Sequence, residues 1–313
     1  MVSIKSLLKK SVVVKKLYNY FYEKYVYYFV SDRTFYIKRY KMIFGRDLDI
    51  EHPVRLTEKM QWLKLYDRRD FFTTCVDKYA VREYLRSKFG DEYLVPLLFQ
   101  TTDWKDINSK NIPNVHCIIK ANHDSGHFVI VRDKSKIDFE KLQNNCKKWL
   151  SEDYYKLSRE WQYKNIKPRR IIVEKLLETK SGKIPNDYKL HYINGELQFV
   201  YVSYDREGVN DRCVYDRDWK RCPFIWVPKE TYRPSMNTAD VPKPETFNKM
   251  VELGNIIAKD FAYVRVDFYD VDGKLFFGEI TLHHGSGFDT FFPDDYDLYF
   301  GNKLKLPIKT HQA

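Results

Sequence analysis

Tyr263-Val264-Arg265-Val266-Asp267-Phe268 and, after a turn signal at Asp272-Gly273, Phe277-Gly278-Glu279-Ile280-Thr281 are the stretches that decide the fold of this chain. Alternation puts Val264, Val266 and Phe268 on one face of the first strand and Arg265 with Asp267 on the other. On the second strand Phe277, Glu279 and Thr281 share a face by the same rule. A three-residue loop Asp272-Gly273-Lys274 sets Asp267 directly opposite Glu279. A two-residue loop Asp272-Gly273 sends the two carboxylates to opposite faces, because a slip of one residue inverts a strand. Opposed carboxylates repel unless a cation lies between them, and Mg²⁺ on a nucleotide's phosphates takes one or two such ligands plus water. Asp267 and Glu279 are therefore candidate metal ligands, and Arg265 beside them suits a phosphoryl group in transfer. The plain alternative is an Arg265–Glu279 ion pair on a solvent-facing hairpin.

Upstream, two short apolar runs, Cys117 to Lys120 and Phe128 to Val131, flank the polar loop Asn122-His123-Asp124-Ser125-Gly126-His127. That pattern predicts a hairpin with a loaded loop. Lys120 at the strand end suits α- and β-phosphates, under a backbone that donates N–H groups from Ser125 and Gly126. A snorkelling surface lysine is the structural alternative. Ile172-Val173-Glu174-Lys175-Leu176-Leu177 could receive adenine, with Glu174 accepting from its amino group; otherwise it is an edge strand with an exposed ion pair. His283 and His284 precede Gly285-Ser286-Gly287 and suit orientation of an incoming carboxylate or amine, or simply a polar turn. His116, His123 and His191 have no zinc-site spacing.

The remaining sequence bounds the class. With 313 residues, 43% hydrophobic and 17% aromatic, the chain can build a large core and is not disordered. A net charge of +11 and a pI near 9.1 point to an anionic partner: nucleotide, acidic glycan, nucleic acid or anionic lipid. No nucleic-acid motif occurs, and the aromatics fall at helix and strand periods, so no nucleic acid is expected. Cys75, Cys117, Cys146, Cys213 and Cys222 form neither paired motifs nor a dense framework, which fits a reducing cytoplasm. No run nears the roughly 18 apolar residues of a spanning helix, and Lys9, Lys10, Lys15 and Lys16 break the first apolar run.

Along the chain, residues 1–44 are basic and aromatic. They read as an interfacial helix on an anionic membrane or as an amphipathic helix docked on the body. Helices are expected from an N-cap at Thr57, from Thr73 or Thr74 to a stop at Gly90, from a cap at Asp138, and over 246–259. A hairpin is expected around Asn194-Gly195, and 205–245 reads as a long insertion or lid.

Six segments now fall into one order: Leu56-Thr57-Glu58-Lys59-Met60-Gln61-Trp62-Leu63, Asp77-Lys78-Tyr79-Ala80-Val81-Arg82, Ile119-Lys120-Ala121-Asn122-His123, Asp187-Tyr188-Lys189, Arg265-Val266-Asp267 and Gly278-Glu279-Ile280-Thr281. Together, over about residues 55–306, they resemble the TupA-like ATP-grasp family. Similar sequences are associated with bacterial surface polysaccharide and teichuronopeptide synthesis, and many carry a glycosyltransferase label. The resemblance implies an α+β ATP-grasp fold, two α+β lobes around a nucleotide cleft behind a helical N-terminal region. Its expected parts are a basic aromatic segment 1–55, a helical region 56–115, a small lobe 116–186 and a large lobe 187–313. It implies ATP and Mg²⁺ as cofactors: Lys120 and Lys189 on phosphates, Glu174 with Leu176 at the hinge, Asp267 and Glu279 on the metal, and Arg265 at the reacting phosphoryl group. Thr281 stands where Asn is usual, and Asp124 and His127 stand where glycines are expected.

The implied reaction joins a carboxylate to an amine through an acyl phosphate. The amine is an amino acid, and the carboxylate belongs to an acidic glycan or its lipid-linked precursor. A glycosyltransferase using Asp270-Val271-Asp272 as a D-x-D metal site, and a non-catalytic glycan-binding module, are the rivals. The first expects nucleotide-sugar turnover without ADP release. The second expects Asp267→Asn to leave function intact.

Overall fold

The computed structural model describes residues 24, 25 and 27–311. It divides into two compact units, one up to Asp49 and one from Ile50 onward. In the first unit, helix α1 (Asp32–Phe44) is capped by the Ser31 hydroxyl, which accepts from the Thr34 N–H at 3.2 Å, and is closed by Gly45 at φ 70°. The interfacial-helix reading of 1–44 lies largely on residues 1–23 and 26, outside the described residues.

The second unit begins with α2 (Leu56–Tyr66), α3 (Phe71–Val76) and α4 (Val81–Phe89). Helix α2 starts two residues earlier than a Thr57 cap requires, with Arg55 at the cap position. Glu58 Oε2 accepts the Val54 and Arg55 N–H groups, while Thr57 donates its N–H and hydroxyl to Asp297 at 2.9 and 2.7 Å. The helix expected from Thr73 to Gly90 is broken in two. Asp77 Oδ1 accepts from the N–H groups of Tyr79 and Ala80, ending α3 and restarting the chain as α4, and Gly90 then stops α4 at φ 76°. The stretch 56–115 also carries a strand, β1 (Leu97–Thr101).

β1 joins β2 (Cys117–Ala121), β3 (Phe128–Val131) and β4 (Ile171–Lys175) in an antiparallel sheet of order β1-β4-β2-β3. Helix α5 (Phe139–Ser151), capped by Asp138, covers one face with Leu142, Cys146 and Trp149 against Cys117, Ile119, Ala121, Ile171 and Val173. Short helices α6 (Tyr155–Ser158) and α7 (Trp161–Lys164) lead into β4.

The second sheet contains β5 (Asp187–Ile193), β6 (Glu196–Tyr204), β7 (Asp211–Tyr215), β9 (Tyr263–Val271) and β10 (Lys274–Thr281), in the order β10-β9-β5-β6-β7. Helix α8 (Phe247–Ala258) packs on it, with Phe247, Met250 and Ile257 meeting Leu190, Val264 and Val266 in the main core. The 205–245 segment is built into the fold rather than a free lid. It supplies β7 to this sheet, and β8 (Ile225–Val227) pairs with β11 (Thr290–Phe292). The chain continues as α9 (Asp295–Lys303), whose Gly301 lies so close to the Val54 carbonyl that an added Cβ would stand 2.1 Å from it.

Candidate functional site

The β9–β10 hairpin turns on two residues, with Val271 paired to Lys274 and positive φ at both Asp272 (51°) and Gly273 (86°). The three-residue loop is therefore absent, and by register alone Glu279 would face the core. A β-bulge reverses this. Phe277 pairs with Phe268 and Ile280 with Val266, so Gly278 and Glu279 together oppose Asp267. The extra residue shifts the strand's phase: Leu275 and Phe277 pack in the core before the bulge, Ile280 and Leu282 after it. Glu279 and Thr281 thus share the functional face, but Phe277 does not. Gly278 is required by close approach, since a Cβ there would lie 3.0 Å from the Asp267 carbonyl and 3.2 Å from its Cβ.

On that face the charges interlock. Arg265 donates from Nε and Nη2 to the two oxygens of Asp267 at 2.7 Å each, from Nη2 to Glu279 Oε1 at 2.7 Å, and from Nη1 to His284 Nδ1 at 2.9 Å. Burial alone would lower the guanidinium's pKa; Asp267 and Glu279 outweigh it and hold Arg265 well above its ordinary value. His284 is held far below the usual histidine range by burial and then by Arg265, so it accepts as a neutral ring. Asp267 is 1% exposed, while the Glu279 side chain is 41% exposed. Lys189 pairs with Asp267 Oδ2 at 2.9 Å and contacts Asp187. It lies behind Asp267 and is not among the residues lining the two cavities below.

Two cavities meet at Lys78, Val81, Asp124, Gly278 and Glu279. The larger, about 520 Å³, lies between the sheets, with an apolar end at Ile118, Ile130, Leu176 and Leu177 and a charged end at Lys78, Lys120, Asp267 and Glu279. Lys120 Nζ lies 2.6 Å from Glu174 Oε2, and Arg82 donates to the other oxygen at 3.2 Å. Glu174 thus holds the lysine in place through one oxygen and Arg82 through the other. Gly126, at φ 102°, lines this cavity, and Ser125 lines the smaller one. The Asp124 carboxylate contacts His127 Nδ1 at 2.7 Å, within the same loop.

The smaller chamber, about 160 Å³, is polar. Ser125, Tyr154, Glu160, Tyr163, Thr281 and His283 line it. Thr281 Oγ1 donates to Glu279 Oε1 at 3.3 Å. Among the described residues no cluster of three or more His, Cys, Asp or Glu side chains could hold a metal. A divalent ion here would therefore draw on Asp267 and Glu279 together with phosphate oxygens and water. The two carboxylates do converge, each 2.7 Å from the same Nη2 of Arg265.

Lys78, Arg82, Arg206, Tyr154, Glu160 and Tyr163 also line these cavities and were not singled out in the sequence. Lys78 is placed by tertiary contacts: Asp77 caps the helix break and also accepts from Asn122 Nδ2 at 2.8 Å, which swings Lys78 to the loop, where its ammonium meets the Asp124 carbonyl. Burial lowers its pKa, with Glu279 and Asp124 opposing that shift.

No curated protein matches this chain. Among solved structures, a D-alanine–D-alanine ligase from Helicobacter pylori shares 13% identity over 79% of this chain and 66% of its own, with a TM-score of 0.46. The ATP complex of the Bacillus anthracis ligase shares 14% over 67% and 54%, TM-score 0.40. The ADP complex of purK, N5-carboxyaminoimidazole ribonucleotide synthetase, shares 10% over 72% and 51%, TM-score 0.42. The chain spans about half the length of several of these structures. The TupA-like ATPgrasp model matches residues 58–305, and the chain belongs to that family.

Proposed function

We propose that this chain is an ATP-dependent ligase that joins a carboxylate to an amine through an acyl phosphate. Its substrates are an amino acid and a uronic acid or similar carboxylate of a bacterial surface glycan or its lipid-linked precursor. The observation that carries the reading is the meeting of two unlike cavities at Glu279: a long slot, apolar at one end and cationic at the other, and a small polar chamber. Adenine lies against Ile118, Ile130, Leu176 and Leu177, and the phosphates meet Lys78, Lys120 and the main chain of Ser125 and Gly126. Glu174 and Arg82 keep Lys120 aimed.

Asp267 and Glu279 would hold Mg²⁺, with Thr281 the remaining candidate ligand beside them. Bound there, the ion supplies positive charge for the phosphoryl group in transfer. Arg265 stabilises charge on that group, and Lys189 and His284 position Asp267 and Arg265. The substrate carboxylate attacks the γ-phosphorus, the bond to the β–γ bridging oxygen breaks, and ADP leaves. The amine then attacks the acyl carbon and phosphate departs. The net charge of +11 supports an acidic substrate, and the basic segment 1–44 supports work in the cytoplasm at the inner membrane face.

Asp270 and Asp272, the glycosyltransferase candidates, are engaged otherwise: Asp270 accepts from the Thr246 hydroxyl and the Gly273 N–H, and Asp272 from the Lys180 N–H. The deciding assay is ADP release with purified protein across uronic acids and amino acids. Glu279→Gln is expected to slow it about 100-fold or more. Sugar transfer from a nucleotide sugar with no ADP release from any pair would sink the ligase reading.

A further inference from the structure

Glu160 is a buried carboxylate that no lysine or arginine among the described residues pairs with. It is 4% exposed, precedes α7 and lines the polar chamber. Its side-chain contact among the described residues is His283 Nδ1, at 3.2 Å from Oε1. His283 is itself enclosed.

Of the other buried carboxylates of the site, Asp124 contacts a histidine, His127, and three are paired with lysine or arginine. Asp267 has Arg265 and Lys189, Glu174 has Lys120 and Arg82, and Asp187 has Lys189. Desolvating a bare carboxylate is strongly unfavourable, so a buried one is normally paired. The chamber's own cations are held elsewhere, Lys78 at the Asp124 carbonyl and Arg265 among Asp267, Glu279 and His284. Around Glu160 the wall is aromatic: Tyr154 and Tyr163 stand edge to face with ring centres 4.8 Å apart. A carboxylate beside aromatic rings is a setting that favours an ammonium ion. At about 160 Å³ the chamber holds only a small molecule, since a cavity of roughly 150 Å³ takes one the size of benzene.

We propose that Glu160 receives the ammonium group of the amine substrate, a small cationic amine such as a short amino acid, takes one of its protons so that the free amine attacks the acyl carbon, and thereby favours an amine that arrives charged over one that arrives neutral. This rests on the ligase reading and adds to it the residue and the charge that choose the second substrate. Filling the chamber completes the ion pair that the protein alone leaves open.

The test uses the full chain with ATP, Mg²⁺ and D-glucuronate or D-galacturonate as carboxylate, and glycine, L-alanine or uncharged hydroxylamine as nucleophile. ADP and hydroxamate are measured for wild type, Glu160→Gln and Glu160→Asp, with circular dichroism as the check on folding. In Glu160→Gln the amino-acid KM is expected to rise about 10- to 100-fold, the loss typical of one charged hydrogen bond. Selectivity should move by a similar factor toward hydroxylamine, and Glu160→Asp should recover part of it. An unchanged amino-acid KM in Glu160→Gln overturns the assignment. So does an equal loss with both kinds of nucleophile in a folded variant, because a merely structural role predicts that. A wild type that releases no ADP and forms no hydroxamate with any pair brings down the ligase reading as well, a separable result.

Discussion

The two hairpins of the large sheet, β5–β6 and β9–β10, are built alike and used differently. Each turns on two residues with positive φ, Asn194-Gly195 in one and Asp272-Gly273 in the other. Each then gains one extra residue on its second strand. In β6 it is Gln198, between the Tyr192–Leu197 and His191–Phe199 pairs; in β10 it is Gly278. Opposite the first bulge stands Tyr192, packed in the core with its hydroxyl on the Val251 carbonyl. Opposite the second stands Asp267, between Arg265 and Lys189. The same backbone device is structural in one place and brings two acidic groups together in the other. The difference is which face of the strand meets the core and which meets a cavity.

Deleting Gly278 and Glu279 together breaks that comparison most severely. With both bulge residues gone the ladder continues from the Phe277–Phe268 pair to Ile280 opposite Asp267, which turns Ile280 to the cavity face and Thr281 to the core and removes the second carboxylate, and we expect ADP release to fall about a thousandfold and stability to drop by more than about 4 kcal/mol, read by activity assay and urea unfolding. Normal activity in this deletion would show that the bulge does not set the site. Asp267→Asn comes next. It leaves the buried Arg265 short of a countercharge and should cost about 3 kcal/mol, whereas Tyr192→Phe at the matching position should cost about 1 kcal/mol, both by denaturant midpoint. Equal costs would mean the ion network adds nothing. Gly278→Ala pushes a methyl against the Asp267 carbonyl and the Tyr269 ring, an expected loss of about 1–3 kcal/mol in thermal melts. Gln198→Ala at the other bulge should change stability by less than about 0.5 kcal/mol, because that side chain bonds, among the described residues, the Glu196 carbonyl and Lys303 in an exposed setting.

Much of this was readable in the residues. Asn194-Gly195 and Asp272-Gly273 announced their hairpins, Gly90 its helix stop and Asp138 its cap, because positive φ and side-chain capping are local demands. The break at Asp77 was not read, since Val76, Tyr79, Ala80 and Tyr84 keep a helical spacing across it. What ends the helix is the Asp77 side chain accepting backbone N–H groups. The bulge did leave a trace. Leu275 and Phe277, then Ile280 and Leu282, are two apolar pairs out of phase across Gly278, a break in period that alternation taken strictly passes over. Lys78 reads as an ordinary helix lysine, and only the Asn122 loop, far along the chain, draws it to the cavities.

By itself, then, the sequence determined the element types, the turn positions and the set of charged residues that alternation keeps off the core, Arg265 and Asp267 first among them. Those follow from local sterics, hydrogen bonding and period. The tertiary structure alone decided how the charges pair: that Glu279 meets Arg265 through a bulge and not a longer turn, that Lys189 stands behind Asp267, that Glu174 grips Lys120, and that Glu160 has no lysine or arginine partner among the described residues. Pairing depends on register and on loops that meet across the fold, where a shift of one residue exchanges a buried face for an open one.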